Sequence, residues 1–292
     1  MPTAPANALE IDYDTFGDPA GRPLLLIMGL GAQKLLWEEE FCAALADSGH
    51  YVIRYDNRDV GLSTKMDGAG IPDISLLLAG LPVQVPYTLD DMADDAAALL
   101  TALGFASAHI CGASMGGMIA QVLAYRHPSR LRSLTSIMST TGNPSLPPPT
   151  PEALTALLTP PPADRDGYVE RSVATWRVIS SPGFPFDEEL TRRRAERLYD
   201  RCFYPEGVAR QLAAIIAGGS RVERLRGVTA PTLVIHGDAD PLVPIEGGRD
   251  TAAAVPGAKL LIIEGMGHDL PRDAWPRLVE AIEAHTAQAE RA

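Results

Sequence analysis

A serine with a glycine two residues to either side occupies residues 112–116, Gly-Ala-Ser-Met-Gly. The apolar run before it predicts a strand and the pattern after it predicts a helix, so Ser114 falls at a sharp strand-to-helix turn. Glycines on both sides let the chain turn without side-chain clashes. This turn exposes the hydroxyl beside the helix N-terminus, where a nucleophile is expected. The alternative is a serine that only caps the helix.

A neutral serine hydroxyl is a weak nucleophile near pH 7, so it needs an imidazole to take its proton and an acid to orient that imidazole. His268 follows a predicted strand on a glycine-bounded loop, residues 265–268. Asp240 lies in the loop after the preceding predicted strand. We therefore predict Ser114, Asp240 and His268 as a catalytic triad of nucleophile, acid and base.

Two of these assignments have rivals. Asp238 also lies near the strand end, where its side chain could hydrogen-bond its own turn. Asp240 is preferred because Pro241 fixes a bend directly after it. Among the six histidines, His236 is the second choice as base, although its position at a strand end suits a packed, hydrogen-bonded side chain.

Acyl transfer also develops a negatively charged oxygen, which preorganised backbone N–H groups must stabilise. Met115, the residue after the nucleophile, is predicted to supply one of these oxyanion-hole donors. We predict Leu30 as the second, because it lies in the loop 29–32, Gly-Leu-Gly-Ala, directly after a predicted strand. A dinucleotide-binding loop would need a glycine where Lys34 stands, which excludes that alternative.

Short apolar runs alternate with amphipathic segments, which predicts an α/β fold with a mostly parallel central sheet flanked by helices. The predicted strands are 9–16, 24–28, 51–55, 108–111, 131–138, 232–236 and 259–263. The predicted helices in this part are 89–103, 115–126, 248–254 and 274–287. Thr88 or Asp90 is the expected N-cap of the first helix. The turn cluster at 17–21 predicts that the first two strands form a hairpin.

A proline-rich run after residue 142 interrupts this alternation and cannot form a central strand. Beyond it, helical patterns at 168–179, 188–203 and 208–217 lie between two predicted sheet strands. We therefore expect a core domain of residues 1–142 and 220–292 that carries a helical cap, or lid, at residues 143–219. Three arginines at 192–194 are predicted to be a solvated helix face, because glutamates flank them.

The composition of the 292-residue chain, with 46% hydrophobic and 21% charged residues, is typical of a globular protein. Its formal charge of −12 disfavours nucleic acid and anionic membranes as partners. Cys42, Cys111 and Cys202 form no metal-binding C-x-x-C pair and are predicted to be small buried side chains. Because no secretory leader pattern and no apolar run of membrane-spanning length is seen, a cytoplasmic location is the default expectation.

Together these motifs resemble the α/β-hydrolase superfamily and, within it, aclacinomycin methylesterase and related lidded carboxylesterases. The further matching segments are 28–29, 53–59 leading to Gly61 and Ser63, 231–235 and 265–268. The resemblance implies hydrolysis of a carboxylic ester through an acyl-enzyme, without metal or organic cofactor, and a lid that shapes the substrate pocket. Met28 stands where many members have the histidine of a His-Gly oxyanion motif. Segment 56–63 is expected to brace the oxyanion loop and to do no chemistry.

We expect small, soluble, fairly apolar esters as substrates and a monomer or homodimer as the assembly. Trp37, Trp176 and Phe184, with Met115, are the candidate walls of the substrate pocket. Two alternatives keep the same fold. In one, the triad hydrolyses carbon–carbon bonds, thioesters or lactones, or performs perhydrolysis. In the other, the chain is a hydrolase-like receptor that does not catalyse a reaction.

Overall fold

A computed structural model describes residues 2–291, within which eight strands form one sheet. The strands are β1 (Thr3–Ala6), β2 (Leu9–Phe16), β3 (Arg22–Ile27), β4 (His50–Tyr55), β5 (Ala108–Ala113), β6 (Leu131–Ile137), β7 (Thr232–Gly237) and β8 (Lys259–Ile263). Their order across the sheet is β1-β2-β4-β3-β5-β6-β7-β8. The neighbours from β4 to β8 pair in parallel, and β1 and β2 join antiparallel at one edge. The predicted mostly parallel sheet is therefore confirmed.

Helices connect most of the strands, and α1, α3, α4, α10 and α11 pack on the sheet. They are α1 (Glu39–Asp47), α2 (Ile74–Leu78), α3 (Leu89–Ala102), α4 (Met115–Arg126), α5 (Pro151–Leu158), α6 (Arg165–Ile179), α7 (Glu188–Arg201), α8 (Pro205–Gly218), α9 (Val222–Leu225), α10 (Ile245–Ala254) and α11 (Trp275–Ala289). Thr88 caps α3 in a reciprocal capping box with Asp91, which confirms Thr88 as the N-cap. Within residues 2–291 none of the helices combines the length and apolarity that crossing a bilayer requires.

The predicted hairpin of the first two long strands is wrong. β4 lies between them: β2 pairs antiparallel with β4, where Tyr13 faces Tyr55, and β3 pairs parallel with β4, where Leu24 faces Val52. The turn cluster does reverse the chain, but β4 supplies backbone hydrogen bonds on both of its edges and separates the two strands. A local turn signal predicts the change of direction and not which strand is inserted.

The central strand β3 is buried on both faces, which explains its continuous apolar run. Alternate side chains point to opposite sides of a strand. Leu25 and Ile27 accordingly join the core beneath α3 and α4, whereas Leu24 and Leu26 join the core beneath α1 and α11. The sheet is therefore a layer between two apolar cores.

Parallel strands end at one common edge of a sheet, where α/β proteins build their sites. The loops that follow β3, β5, β7 and β8 all leave from this edge. These loops carry Leu30, Ser114, Asp240 and His268, in that order. The topology thus collects four residues that are far apart in sequence.

Candidate active site

Ser114 adopts a left-handed backbone conformation, with φ 55° and ψ −121°, between β5 and α4. This conformation is costly for a residue other than glycine and persists only where the surroundings enforce it. The Ser114 amide donates to the Ile137 carbonyl at 2.9 Å, and the Ser139 hydroxyl donates to the Ser114 carbonyl at 2.8 Å. The neighbouring strand β6 and the loop after it therefore hold the strained residue in place.

The two flanking glycines permit contacts that no larger residue allows. A Cβ at Gly112 would lie 2.1 Å from the Gly116 carbonyl oxygen, and a Cβ at Gly116 would lie 2.0 Å from the Ile27 carbonyl oxygen. Both distances are far inside van der Waals contact. Helix α4 thus starts directly against β3 and β5, which places the Ser114 side chain at the carboxyl edge of the sheet.

The side chains of Ser114, His268 and Asp240 form one hydrogen-bonded line. His268 Nε2 lies 2.9 Å from Ser114 Oγ, and His268 Nδ1 lies 2.7 Å from Asp240 Oδ2. His268 and Asp240 are buried, and Ser114 is half-buried. Because a carboxylate only accepts, Nδ1 carries the imidazole proton and Nε2 is left to accept the serine proton. The structure thus brings the three predicted residues together in one hydrogen-bonded line.

Asp240 rather than Asp238 contacts the imidazole. The second oxygen of Asp240, Oδ1, accepts from the amides of Leu242 and Val243 at 2.9 and 2.8 Å. These bonds fix the carboxylate so that Oδ2 faces His268. Asp238 instead accepts from the Gly265 amide at 2.7 Å, so it braces the loop on which His268 lies.

His236, the rival base, is a packed core histidine. Its Nε2 donates to the Val243 carbonyl at 2.8 Å, and burial lowers its pKa, which keeps the ring neutral. Its Nε2 lies 3.7 Å from Asp240 Oδ2 and outside the hydrogen-bonded line of Asp240, His268 and Ser114. The ring therefore supports the Asp240 loop and has no hydrogen bond to Ser114.

The two predicted oxyanion donors lie on either side of Ser114. Met115 follows it in the chain, and the loop of Leu30 abuts it, since a Cβ at Gly29 would lie 3.1 Å from Ser114 Cβ. Neither the Met115 nor the Leu30 N–H donates to an acceptor within residues 2–291. Two unpaired amides therefore lie beside the Ser114 hydroxyl, where they are free to donate to a bound group.

The segment after β4 supports the Leu30 loop through two side-chain hydrogen bonds. Asn57 Nδ2 donates to the Met28 carbonyl at 2.9 Å, and Asp56 Oδ1 accepts from the Lys34 amide at 2.7 Å. The predicted bracing role of this segment is therefore confirmed.

A cavity of about 260 Å³ lies beside His268 and is walled mainly by apolar side chains. Residues of α6, α7 and the chain between them form one wall, and residues of the sheet edge, α1 and α11 form the other. Five aromatic rings line it, namely Phe41, Trp176, Phe184, Phe186 and Trp275. Trp176 and Phe184, two of the candidate pocket walls, thus line a cavity beside His268.

Trp37 does not line this cavity, which corrects its prediction as a pocket residue. Its ring is completely buried and stacks on Phe41 with the centroids 5.8 Å apart. Phe41 lies between Trp37 and the Trp275 ring and faces the cavity in its place. Met115 is also completely buried and lies outside the cavity lining, so its side chain does not form a wall of this cavity.

A group of hydrogen bonds joins the end of α6 to the His268 loop. His268 N donates to the Ile179 carbonyl at 2.7 Å, Gly267 N donates to Ser181 Oγ at 2.9 Å, and Ser181 N donates to Asp269 Oδ1 at 2.9 Å. Ser181 Oγ also donates to the same Asp269 oxygen. Burial raises the pKa of Asp269 despite these bonds. Sequence reasoning missed Ser181 and Asp269, and the only signal was that Asp269 adjoins His268.

The rim of the cavity carries a charged group. Arg194 and Arg272 both pair with the partly buried Glu38. Arg194 therefore departs from the predicted solvated face, whereas Arg192 and Arg193 bond glutamates on the outer side of α6 and α7, as expected.

The cysteines form no disulfide: Cys42 and Cys111 are buried, Cys202 is partly exposed, and all three are free thiols. Within residues 2–291 no cluster of three or more His, Cys, Asp or Glu side chains is placed to hold a metal ion.

The mostly parallel sheet and the strained strand-to-helix turn at Ser114 together define a class of enzyme fold. The sequence comparison identifies the same class. The family described as alpha/beta hydrolase fold matches residues 22–272, and the chain belongs to this family. It is similar to the rhodomycin D methylesterases DauP of Streptomyces sp. (strain C5) and DnrP of Streptomyces peucetius. Each is 34% identical to it, with 99% of both chains covered. These relatives and the family identify the chain as a hydrolase of the esterase type.

Among solved structures, the fold is similar to a meta-cleavage product hydrolase from Pseudomonas fluorescens IP01. The TM-score is 0.78, and the match covers 99% of this chain and 98% of that one at 19% sequence identity. This likeness concerns the fold alone.

Proposed function

We propose that the chain is a serine carboxylesterase that acts through an acyl-enzyme on small, soluble, fairly apolar esters. The observation that carries this proposal is the line from Ser114 Oγ through His268 to Asp240, with bonds of 2.9 and 2.7 Å. Its support is chemical: the line supplies a base for the serine proton and an anion to stabilise the imidazolium that results.

In the proposed mechanism, Ser114 Oγ attacks the ester carbonyl carbon while His268 Nε2 takes the hydroxyl proton. The carbonyl oxygen becomes an oxyanion that accepts from the Leu30 and Met115 amides. His268 then returns the proton to the leaving alcohol, which departs and leaves an acyl-serine. A water molecule, deprotonated by His268, attacks the acyl-serine and releases the acid.

The aromatic cavity supports an acyl group that contains a ring. Five of the chain's nine phenylalanine and tryptophan side chains line this one cavity. Aromatic walls bind flat apolar groups by burial and ring stacking. Because the relatives are named methylesterases, we propose a methyl ester as the scissile group and place the larger, ring-bearing part of the substrate in the cavity.

We further propose that residues 143–219 form a cap on a core of residues 1–142 and 220–292. The support is that α5 to α8 all lie between β6 and β7, and that α6 and α7 supply one wall of the cavity. In this proposal the cap determines which acyl groups fit.

A substrate panel with two variants tests the proposed function. The panel contains methyl esters of aromatic acids, a short p-nitrophenyl ester, a thioester and a vinylogous β-diketone. We expect the highest kcat/KM on the esters and a loss of roughly a thousandfold or more in Ser114→Ala. The exposed Ser145→Ala is the matched control and keeps full activity. Retained activity in Ser114→Ala, or faster turnover of the diketone or thioester than of every ester, contradicts the proposal.

A further inference from the structure

Helix α8 contacts the Leu30 loop through Gln211, a side chain that is completely buried. Gln211 Oε1 accepts from the Gly31 amide at 2.8 Å, and Gln211 Nε2 donates to the Arg58 carbonyl at 2.7 Å. Both ends of the amide group are therefore used, one on the loop after β3 and the other on the segment after β4. A buried amide with both ends bonded has one fixed orientation.

Gly31 is the point at which the Leu30 loop turns. It has a φ of +63°, and a Cβ there would lie 2.8 Å from Val208 Cγ2, so α8 packs directly on the glycine. The bond from Gln211 fixes the peptide plane between Leu30 and Gly31. The Leu30 N–H belongs to the preceding peptide, whose carbonyl on Gly29 accepts from the Ala32 amide at 3.2 Å. The direction of this N–H therefore depends on the turn bond and on the adjoining peptide plane that Gln211 holds.

The other bonds of this loop do not reach the Leu30–Gly31 peptide. The Ala32 amide donates to the Gly29 carbonyl at 3.2 Å and closes the turn around that peptide. Asn57 holds the Met28 carbonyl at one end, and Asp56 holds the Lys34 amide at the other. Between these two points, Gln211 bonds the backbone next to the proposed oxyanion donor. A donor that must meet a developing charge needs its orientation set in advance, because reorganisation during the reaction lowers its effect.

We propose that Gln211 is a positioning residue for the oxyanion hole: from α8 it orients the Leu30 amide towards the carbonyl oxygen of the bound ester. This inference rests on the proposed esterase function. It makes the placement of α8 a determinant of the rate of the chemical step, in addition to any effect of the neighbouring helices on substrate fit.

The test compares Gln211→Met with a matched control, Gln121→Met. Gln121 is also a completely buried glutamine with both ends of its amide bonded, to Arg221 and Ser136, but it does not contact the Leu30 loop. We expect both variants to lower Tm. Only Gln211→Met lowers kcat, by roughly 10- to 100-fold, with KM changed less than about threefold, because the donor is misdirected and not removed.

A trifluoromethyl ketone forms an adduct with Ser114 that carries an oxyanion. Its inhibition of the enzyme weakens if Gln211 orients the oxyanion donor and stays constant if Gln211 only stabilises the fold. We expect Gln211→Met to weaken its inhibition by the same factor as kcat/KM, and Gln121→Met to leave it unchanged. Gln211→Glu keeps an acceptor for the Gly31 amide and is expected to recover part of both losses. It also provides the comparison if the methionine variant does not fold.

Two different results overturn the inference, and they are distinguishable. If the wild type is active but the Gln211 variants keep kcat and ketone affinity within about twofold, the inference alone is wrong. If the folded wild type neither hydrolyses esters nor binds the ketone, the proposed function is wrong and the inference fails with it.

Discussion

Replacing Asp240 by asparagine is the perturbation whose outcome the structure defines most closely. The two backbone amides of Leu242 and Val243 donate to Oδ1 and require an oxygen there. An asparagine therefore keeps its oxygen at this point and turns its NH₂ group to His268 Nδ1. Because that NH₂ group only donates, Nδ1 must accept and the imidazole proton must move to Nε2. The imidazole then presents a proton to Ser114 instead of an acceptor.

The expected loss in kcat/KM near neutral pH is roughly 10⁴-fold, the size associated with the wrong histidine tautomer in a serine triad. This corresponds to about 5 kcal/mol of transition-state stabilisation. The fold itself is expected to change little, because the substitution preserves size and the two backbone bonds to Oδ1 at 2.9 and 2.8 Å.

The assay is the initial rate of hydrolysis of a short p-nitrophenyl ester, with circular dichroism to verify folding. Asp238→Asn is the matched control, because its side chain retains an oxygen that can accept from the Gly265 amide. We expect this control to stay within about threefold of the wild type. A loss below about tenfold in Asp240→Asn, or an equal loss in both variants, would refute the assignment of Asp240 as the orienting acid.

Three further predictions concern the turn, the cavity and pH. Gly116→Ala should destabilise the fold by on the order of 3 kcal/mol in urea unfolding, because its Cβ meets the Ile27 carbonyl at 2.0 Å. Gly227→Ala, with its nearest atom at 3.5 Å, should be near neutral, and equal effects contradict the packing argument. Trp176→Ala should raise KM for an aromatic methyl ester roughly tenfold but barely change that for an acetate, whereas the exposed Val178→Ala should alter neither. Stability should fall as the pH drops from about 6.5 towards about 4. Burial lowers the folded-state pKa of four histidines, to about 4 for His109, so the unfolded chain binds protons at a higher pH than the folded chain does. The four are His50, His109, His236 and His285. A urea midpoint that stays constant over this range contradicts the expectation.

The local patterns of the sequence predicted most of the elements, since periodicity and turn residues act over short distances. The helix after Ser114 was predicted at its observed bounds, Met115–Arg126, because a strand, a glycine turn and an apolar helix follow one another directly. The insertion of β4 between β2 and β3 was not predictable in this way. It depends on pairing between residues about 40 apart, such as Tyr13 and Tyr55, for which no local signal exists.

The positions of Ser114, Asp240 and His268 were predictable because parallel topology brings the ends of β5, β7 and β8 to one edge. The pocket was less predictable, since an aromatic side chain looks alike in sequence whether it fills the core or faces a cavity. Trp37 and Trp176 illustrate this: one is enclosed in the core and the other lines the cavity. The contacts of Ser181 and Gln211 with the site loops span 86 and 180 residues, and neither leaves a motif.

The central claim is that Ser114 is an activated nucleophile, and labelling with a fluorophosphonate probe followed by peptide mass mapping tests it most directly. We expect one adduct on Ser114 in the wild type, loss of ester hydrolysis in proportion to labelling, and no adduct in Ser114→Ala. An adduct on another residue that tracks the loss of activity, or a fully active chain that stays unlabelled, would contradict it.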